Sequence, residues 1–144
     1  MNDSEIYSVL HYFLTRINGV SLHWYLEGSA NLFIQGVSVV AKDVDITTTK
    51  EGYERIKAVI DIPIKEKHEP KKLKYAFECI IDGIDLEVAW YYDPQKPFCI
   101  TPKILKWNGL ELHVAPLTHA IKFYTYIGKL EKVELIKKHM QSHL

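Results

Sequence analysis

The sequence predicts an α+β or mixed α/β domain in which helices cover one β-sheet. Apolar residues recur at three- and four-residue spacing near both ends of the chain, as in amphipathic helices. Between those ends, Asp82-Gly83 separates two runs of alternating apolar and polar residues, which is a strong hairpin signal. A chain of 144 residues is long enough for one domain, spanning 1–144, and too short for two of typical size.

The charge balance argues against a long polyanion as the default partner. Eighteen basic and eighteen acidic side chains cancel, so the chain as a whole has no net field that attracts nucleic acid. A basic cluster in residues 65–74 is broken by two glutamates and a proline, and we interpret it as a solvated loop. The amino terminus is polar and acidic, unlike a secretory signal, and no run of about 18 apolar residues is present to span a membrane.

The two cysteines, Cys79 and Cys99, lie in apolar, strand-like segments and lack C-x-x-C spacing. Metal and redox motifs use that spacing, so we predict two buried thiols in a reducing compartment. Together with the missing secretory signal, this predicts a cytoplasmic protein. The sequence leaves a disulfide between the two cysteines open as the alternative.

Periodicity and capping residues predict the elements of the amino-terminal half. In order, they are a helix at 4–18 capped by Ser4, a strand at 21–26, a short helix at 30–35 capped by Ser29, a strand at 38–47 and a helix at about 50–60 capped by Thr49. The next residues, 61–70, contain two prolines and are predicted to form a loop.

Two hairpins and two helices are predicted in the carboxy-terminal half. In order, they are paired strands at 73–81 and 84–92, an irregular proline-rich connection at 93–102, a smaller hairpin at 104–114 that turns at Asn108-Gly109, a helix that starts at Pro116 and a last helix from 130 to about 139. Pro116 suits a first helical position because its missing N–H would have no partner there.

Candidate functional residues cluster in the stretch 24–46. Asp43 and Asp45 are two residues apart on a predicted strand, so their carboxylates point to the same face. Such like charges repel unless a cation lies between them, and oxygen ligands suit Mg²⁺. Upstream, Gly28-Ser29 lies between a strand and a helix, where unpaired helix N–H groups bind anions. The stretch therefore predicts a site for a metal-bound phosphate.

These motifs resemble the signature of the polymerase-beta-like nucleotidyltransferase superfamily, and most closely its minimal bacterial and archaeal members. The residues that carry the resemblance are Leu26-Glu27-Gly28-Ser29, Lys42-Asp43-Val44-Asp45-Ile46 and, on a later strand, Leu86-Glu87-Val88. The resemblance covers about residues 20–140 and implies a nucleotidyltransferase-like fold, in which helices flank a mixed β-sheet and a C-terminal helical segment follows. It implies an enzyme that moves a nucleoside monophosphate from a nucleoside triphosphate, such as ATP, to an acceptor.

The resemblance also implies roles for individual residues. Asp43, Asp45 and Glu87 would be catalytic and would hold two Mg²⁺ ions, with Asp85 as the rival for the third acid. The residues implied to bind the nucleotide are Gly28, Ser29, Lys42 and Lys122. The acceptor is left open as a protein, a small molecule or an RNA end. A helical partner subunit or a homodimer is also implied, and no membrane partner is.

Other interpretations stay open alongside the enzyme. The chain could be a non-catalytic nucleotide-binding module, the nucleotidyltransferase-type component of a toxin–antitoxin pair, or an inactive interaction domain. The acidic pairs could be solvent-facing strand residues, and Lys122 a solvated helix lysine. His139 and His143 have the spacing of a zinc pair but suit an ordinary polar terminus better. Convergence of Asp43 and Asp45 with a third acid would favour the enzyme.

Overall fold

The computed structural model describes residues 1–143, so Leu144, the last residue of the expected domain, lies outside it. The α-helices are α1 (Asp3–Ile17), α2 (Gly28–Ile34), α3 (Lys50–Val59), α4 (Leu117–Tyr126) and α5 (Leu130–Ser142). The strands are β1 (Trp24–Glu27), β2 (Val44–Thr48), β3 (Lys65–Glu69), β4 (Lys74–Ile81), β5 (Ile84–Tyr91), β6 (Lys103–Trp107) and β7 (Leu110–Val114). A 3₁₀ turn, Pro70–Lys72, joins β3 to β4.

All seven strands form one mixed sheet in the order β3-β4-β5-β2-β1-β7-β6. The β2–β5 and β1–β7 pairs are parallel, and the other neighbours are antiparallel. This confirms the prediction of one sheet flanked by helices, with two helices at the C-terminal end. No helix within residues 1–143 is both long and apolar enough to cross a membrane.

The main core lies between the sheet and the amino-terminal helices. Ile6 and Phe13 of α1 are fully buried and belong to the same apolar cluster as Leu86 and Val88 of β5. Because side chains alternate along a strand, Glu87 between those two residues points to the opposite face of the sheet. The burial of one face of β5 therefore presents its carboxylates on the other.

A second apolar cluster holds the C-terminal helices against α2. Leu32 of α2 and Val37 after it pack with Tyr124 of α4 and with Val133 and Ile136 of α5. All five side chains are buried. This packing holds α4 and α5 against the last turn of α2 and the residues that follow it.

Both hairpin predictions are confirmed. Asp82 and Gly83 have φ angles of 51° and 79°, and Asn108 and Gly109 have 48° and 83°. Two successive positive φ angles are what a type I′ turn requires, and Asn-Gly and Asp-Gly adopt them at low cost. Local turn chemistry therefore determined the register of β4 with β5 and of β6 with β7.

The expected loop at 61–70 is wrong, because it contains β3. The sequence of β3, Lys-Glu-Lys-His-Glu, has no apolar alternation and carries no strand signal. β3 is an edge strand, held by its antiparallel pairing with β4 and by Lys67 Nζ, which lies 2.6 Å from Glu78 Oε1. Charged side chains are common on edge strands because they discourage pairing with other chains.

Two of the predicted helix caps are also wrong. The cap of α1 is Asn2, whose Oδ1 accepts from the Glu5 N–H at 2.9 Å while the Glu5 carboxylate accepts from the Asn2 N–H at 3.0 Å. α2 starts at Gly28, and Ser29 does not cap it. Thr49 does cap α3, as predicted, since its Oγ1 accepts from the Gly52 N–H at 3.0 Å. Both cysteines are buried free thiols, also as predicted.

Candidate active site

The candidate residues line a cavity of about 700 Å³ on the sheet face opposite α1. Its floor comes from β2 and β5, one wall from the β1–α2 junction, and another from α4 and α5. The 3₁₀ turn before β4 closes the remaining side. Of the residues assigned from the resemblance, the cavity lining contains Gly28, Ser29, Lys42, Asp43, Asp45 and Glu87.

The strand register brings acidic side chains from different strands into one row. Asp45 on β2 is paired with Glu27 on β1 and with Glu87 on β5. Asp43 precedes β2 by one residue, and the charge of its carboxylate acts on that of Asp45. Burial, followed by the charges of Asp43 and Glu87, raises the pKa of Asp45 well above its usual value. The protein by itself therefore does not supply enough positive charge to balance the carboxylates of Asp43 and Asp45.

Glu87, the candidate third acid, lines the cavity, although its oxygens already have cationic partners. Its Oε1 lies 2.5 Å from Lys74 Nζ, and its Oε2 lies 3.2 Å from Lys67 Nζ. Asp85 is exposed, lies opposite Ile80 and does not line the cavity. Across the described part of the chain, no three acids, histidines or cysteines are arranged to hold a metal ion. Glu87 would have to leave Lys74 before it could join Asp43 and Asp45 around a cation.

The Gly28-Ser29 step lies directly against Asp45. Gly28 has a φ of 79°, and a Cβ atom at this position would clash with Asp45 Oδ2. The Oγ of Ser29 accepts a hydrogen bond of 3.1 Å from the backbone N–H of Lys42. This bond ties the start of α2 to the residues just before Asp43, so the two halves of the motif are held together.

Replacing Gly28 by alanine should damage the site more than the fold. A non-glycine residue at positive φ costs about 1–2 kcal/mol, and the added Cβ must also displace the Asp45 carboxylate. We expect Mg²⁺-dependent nucleotide affinity to fall by about tenfold or more, by isothermal titration calorimetry. Gly83→Ala is the matched control, because Gly83 has the same φ and a Cβ added there would have no atom within 4 Å. Equal nucleotide affinity in the two variants would contradict the prediction.

Six lysines line the cavity, and sequence reasoning identified only one of them. They are Lys42, Lys71, Lys72, Lys74, Lys129 and Lys132. Lys122 is exposed on α4 and is absent from the lining. Lys129 and Lys132, at the start of α5, reach the cavity instead. The sequence did offer one signal. Positive charge near the start of a helix is unfavourable for the helix dipole, so lysines at that position indicate a function other than stabilising the helix.

A buried ion pair lies behind the β1–α2 junction, and no pattern in the sequence indicated it. Lys96 Nζ lies 2.9 Å from Glu27 Oε1, and the two side chains are 2% and 5% exposed. Thr47 Oγ1 donates to the same Glu27 oxygen at 2.9 Å, and His119 Nε2 lies 3.4 Å from the other. The ring of Tyr91 covers the ammonium group, with its centroid 4.2 Å away. The pair joins the proline-rich connection to the cavity wall.

The pKa shifts of this pair are both downward but have different causes. Burial alone would raise the pKa of Glu27, yet Lys96, His119 and Thr47 together hold it below its usual value. Burial lowers the pKa of Lys96, and the attraction of Glu27 offsets only part of that effect. We treat the pair as ionised at neutral pH, because the short contact and the Thr47 hydrogen bond both favour the carboxylate.

Aromatic residues form the apolar wall of the cavity. They are Tyr91, Phe123, Tyr124 and Tyr126. Among the other aromatic residues, Trp24 and Tyr25 of β1 are buried in the core regions. The rings of His139 and His143 stack on each other at 4.1 Å.

Solved structures with the same fold are nucleotidyltransferases or have been assigned as such. TM1012 of Thermotoga maritima, assigned as a nucleotidyltransferase, aligns over 99% of this chain and 96% of its own, with a TM-score of 0.72 and 23% identity. ANT(2″)-Ia in complex with adenylyl-2″-tobramycin aligns over 92% and 87%, with a TM-score of 0.61 and 17% identity. The solution structure of the antibiotic-resistance factor ANT(2″)-Ia aligns over 96% and 86%, with a TM-score of 0.67 and 15% identity.

Sequence comparison adds no assignment beyond these structures. No family model matches the chain, and no curated protein matches it. At identities of 23% and below, the structural likeness establishes the fold. The resemblance predicted from Gly28-Ser29 and Asp43-x-Asp45 is therefore confirmed at that level. The chain has the fold of a minimal nucleotidyltransferase.

Proposed function

We propose that the protein transfers a nucleoside monophosphate from a nucleoside triphosphate to an acceptor hydroxyl. The observation that carries the proposal is the contact between the Gly28 turn and Asp45, beside Asp43, whose charge helps to raise the pKa of Asp45. Phosphate-binding backbone and a pair of carboxylates in need of a cation are thus adjacent. Nucleotidyl transfer needs this combination, because catalysis consists mainly of positioning the phosphates and neutralising their charge.

In the proposed reaction, the acceptor oxygen bonds to the α-phosphorus while the bond from that phosphorus to the bridging oxygen breaks. Pyrophosphate leaves, and the acceptor proton passes to the Glu87 carboxylate. Gly28 and Ser29 hold the terminal phosphates through backbone N–H groups and the hydroxyl. Lys42, Lys129 and Lys132 add positive charge on the same side of the cavity. Lys122 would contribute only if α4 moved, because its side chain is exposed outside the cavity.

A divalent cation fits the Asp43–Asp45 pair. The raised pKa of Asp45 reflects two carboxylates that share this position without a compensating cation in the protein. Mg²⁺ bound there would supply positive charge to the phosphate oxygens. The second ion of the predicted pair would depend on Glu87, which Lys74 and Lys67 now occupy. We therefore assign one cation to Asp43 and Asp45 and make the second conditional on release of Glu87.

Transfer of label tests the proposal directly. Wild-type protein is incubated with Mg²⁺, each of four α-³²P-labelled nucleoside triphosphates and a cell lysate, and label is followed into new products. We expect transfer from at least one nucleotide, and loss of that transfer in Asp43→Asn. The matched control is Asp85→Asn, which removes an exposed acid that does not line the cavity. Transfer that persists in Asp43→Asn would contradict the assignment of Asp43.

A non-catalytic nucleotide-binding module is the second candidate function. It is favoured by one observation, the ion pairs that hold Glu87 on Lys74 and Lys67. In that case Mg²⁺ and nucleotide would bind at Gly28 and Asp45, and no nucleotide would transfer label to any acceptor. A toxin–antitoxin role, a helical partner subunit and a homodimer stay predictions from the resemblance.

A further inference from the structure

The candidate cavity is lined by more basic than acidic side chains. Acidic and basic residues balance over the full sequence, whereas six lysines and four acids line this cavity. Lys74 is neutralised by Glu87 and Glu69. The other five, Lys42, Lys71, Lys72, Lys129 and Lys132, form no ion pair with any acid among the described residues. Concentrated unpaired positive charge in a cavity attracts anions.

The unpaired lysines come from two separate parts of the fold. Lys129 and Lys132 are at the start of α5, which packs against α2. Lys71 and Lys72 are on the 3₁₀ turn that leads into β4. In the sheet order β4-β5-β2-β1, β4 is three strand spacings, or about 14 Å, from β1, the strand that leads into α2.

A nucleotide held at Gly28 uses only one of the two groups. Its triphosphate would lie with Lys42, Lys129 and Lys132, on the α2 side of Asp45. Lys71 and Lys72 shortly precede Lys74, whose Nζ lies 2.5 Å from Glu87 Oε1, the group that takes the acceptor proton in the proposed reaction. Both side chains are exposed and form no ion pair among the described residues, although the charge of Lys72 acts on Glu69, so most of their charge is available to a ligand. The acceptor side therefore has its own unmatched positive charge.

We infer that Lys71 and Lys72 form an acceptor subsite for a molecule that carries a phosphate group near the hydroxyl to be modified. The inference rests on the proposed function, since it assigns the second substrate of the same site. Two lysines on one turn neutralise a phosphate monoester or diester without requiring a fixed geometry. The same positive charges repel a polycationic acceptor such as tobramycin. An aminoglycoside would instead need a negatively charged subsite.

Charge reversal at the two lysines separates acceptor binding from nucleotide binding. Wild type and K71E/K72E are compared in Mg²⁺-dependent transfer of label from a nucleoside triphosphate to glycerol 3-phosphate, to a short single-stranded RNA, to glycerol and to tobramycin. We expect transfer to a phosphate-bearing probe, with kcat/KM for that probe lowered about tenfold or more in the variant. Nucleotide affinity should stay within about twofold, because the donor side keeps all of its lysines. Comparison of glycerol 3-phosphate with the RNA shows whether the phosphate group of the preferred acceptor belongs to a small molecule or to a nucleic acid.

K137E/K138E is the matched control. Lys137 and Lys138 are an adjacent, exposed pair on α5 that does not line the cavity. The control should transfer label as fast as wild type, and thermal unfolding should show that both double variants are folded.

Three results would overturn the inference. The first is equal transfer by wild type and K71E/K72E, and the second is a preference of wild type for glycerol or tobramycin. Both leave the proposed function intact. The third is nucleotide binding without transfer to any of the four probes, which would support the module and remove the acceptor subsite. Loss of Mg²⁺-dependent nucleotide binding in wild type would instead refute the proposed function itself.

Discussion

Replacing Asp45 by asparagine is expected to stabilise the protein while abolishing the Mg²⁺-dependent nucleotide binding that we propose for it. Asp45 is held beside Asp43 and Glu87, and burial together with those charges raises its pKa. At neutral pH the negative charge of Asp45 therefore destabilises the folded protein. Asparagine removes that charge and can donate a hydrogen bond to Asp43. We therefore expect the free energy of unfolding to increase, because a raised pKa of a carboxyl group means that its charged form is less stable in the folded protein than in the unfolded chain.

The pH dependence of this gain has a defined sign. The pKa of Asp45 is higher in the folded protein than in the unfolded chain, where it is about 3.9. Below that value Asp45 is protonated in both states, so Asp45→Asn and wild type should differ little. As the pH rises above about 4, the unfolded chain loses its proton first and wild-type stability falls. The advantage of Asp45→Asn should grow with pH and level off above the folded-state pKa.

Thermal unfolding with and without Mg²⁺ tests both parts of the prediction. Millimolar Mg²⁺ should raise the Tm of wild type, because a ligand that binds only the folded state stabilises it. It should leave the Tm of Asp45→Asn unchanged. Glu134→Gln is a suitable control, because it removes one exposed carboxylate on α5 outside the cavity. A similar response to Mg²⁺ in wild type and Asp45→Asn would remove the metal site from this position.

Replacing Lys96 by methionine is expected to lower the free energy of unfolding more than Gly28→Ala does. The change leaves the buried Glu27 carboxylate without the ammonium that lies 2.9 Å from it. Removing one member of a buried ion pair costs about 3–5 kcal/mol, because the remaining charge is desolvated and unpaired. Methionine keeps the apolar contacts with the rings of Tyr91 and Phe123, so the loss reports the charge rather than the volume. Urea unfolding at neutral pH measures it.

The double variant Glu27→Gln/Lys96→Met tests the physical reason. With both charges removed, no unpaired ion is buried, and well-packed neutral replacements of an ion pair are often nearly neutral in stability. We expect most of the stability lost in Lys96→Met to return. If the double variant is as unstable as Lys96→Met, the loss comes from packing in the proline-rich connection and not from the buried charge.

Much of the fold could be predicted because the signals were local. Asp82-Gly83 and Asn108-Gly109 adopt positive φ in both turns, so two of the four antiparallel pairs between consecutive strands followed from the turn residues. The pairing of β3 with β4 was not predictable. β3 is stabilised by backbone pairing and ion pairs with its neighbour, and neither leaves a pattern in the strand's own residues.

The site shows the same division between local and long-range signals. Asp43 and Asp45 both line the cavity with Gly28 and Ser29. The strand predicted at 38–47 is shorter, Val44–Thr48, so Asp43 precedes it and strand alternation accounts only for Asp45. The partners of Glu87 were not predictable, because Lys67 and Lys74 reach it from β3 and β4 through the strand register. The lysine expected on α4 proved to be exposed, and those at the start of α5 lie in the cavity.

By itself, the sequence determined the α+β class, the two hairpins and the proximity of the Gly28-Ser29 turn to two carboxylates. Each of these depends on φ preferences, capping or side-chain alternation, which act over a few residues. The tertiary structure alone decided which lysines surround those carboxylates, that Lys67 and Lys74 neutralise Glu87, and that Lys96 is buried against Glu27. Charges interact through space, so their partners are known only once distant strands and loops have been brought together.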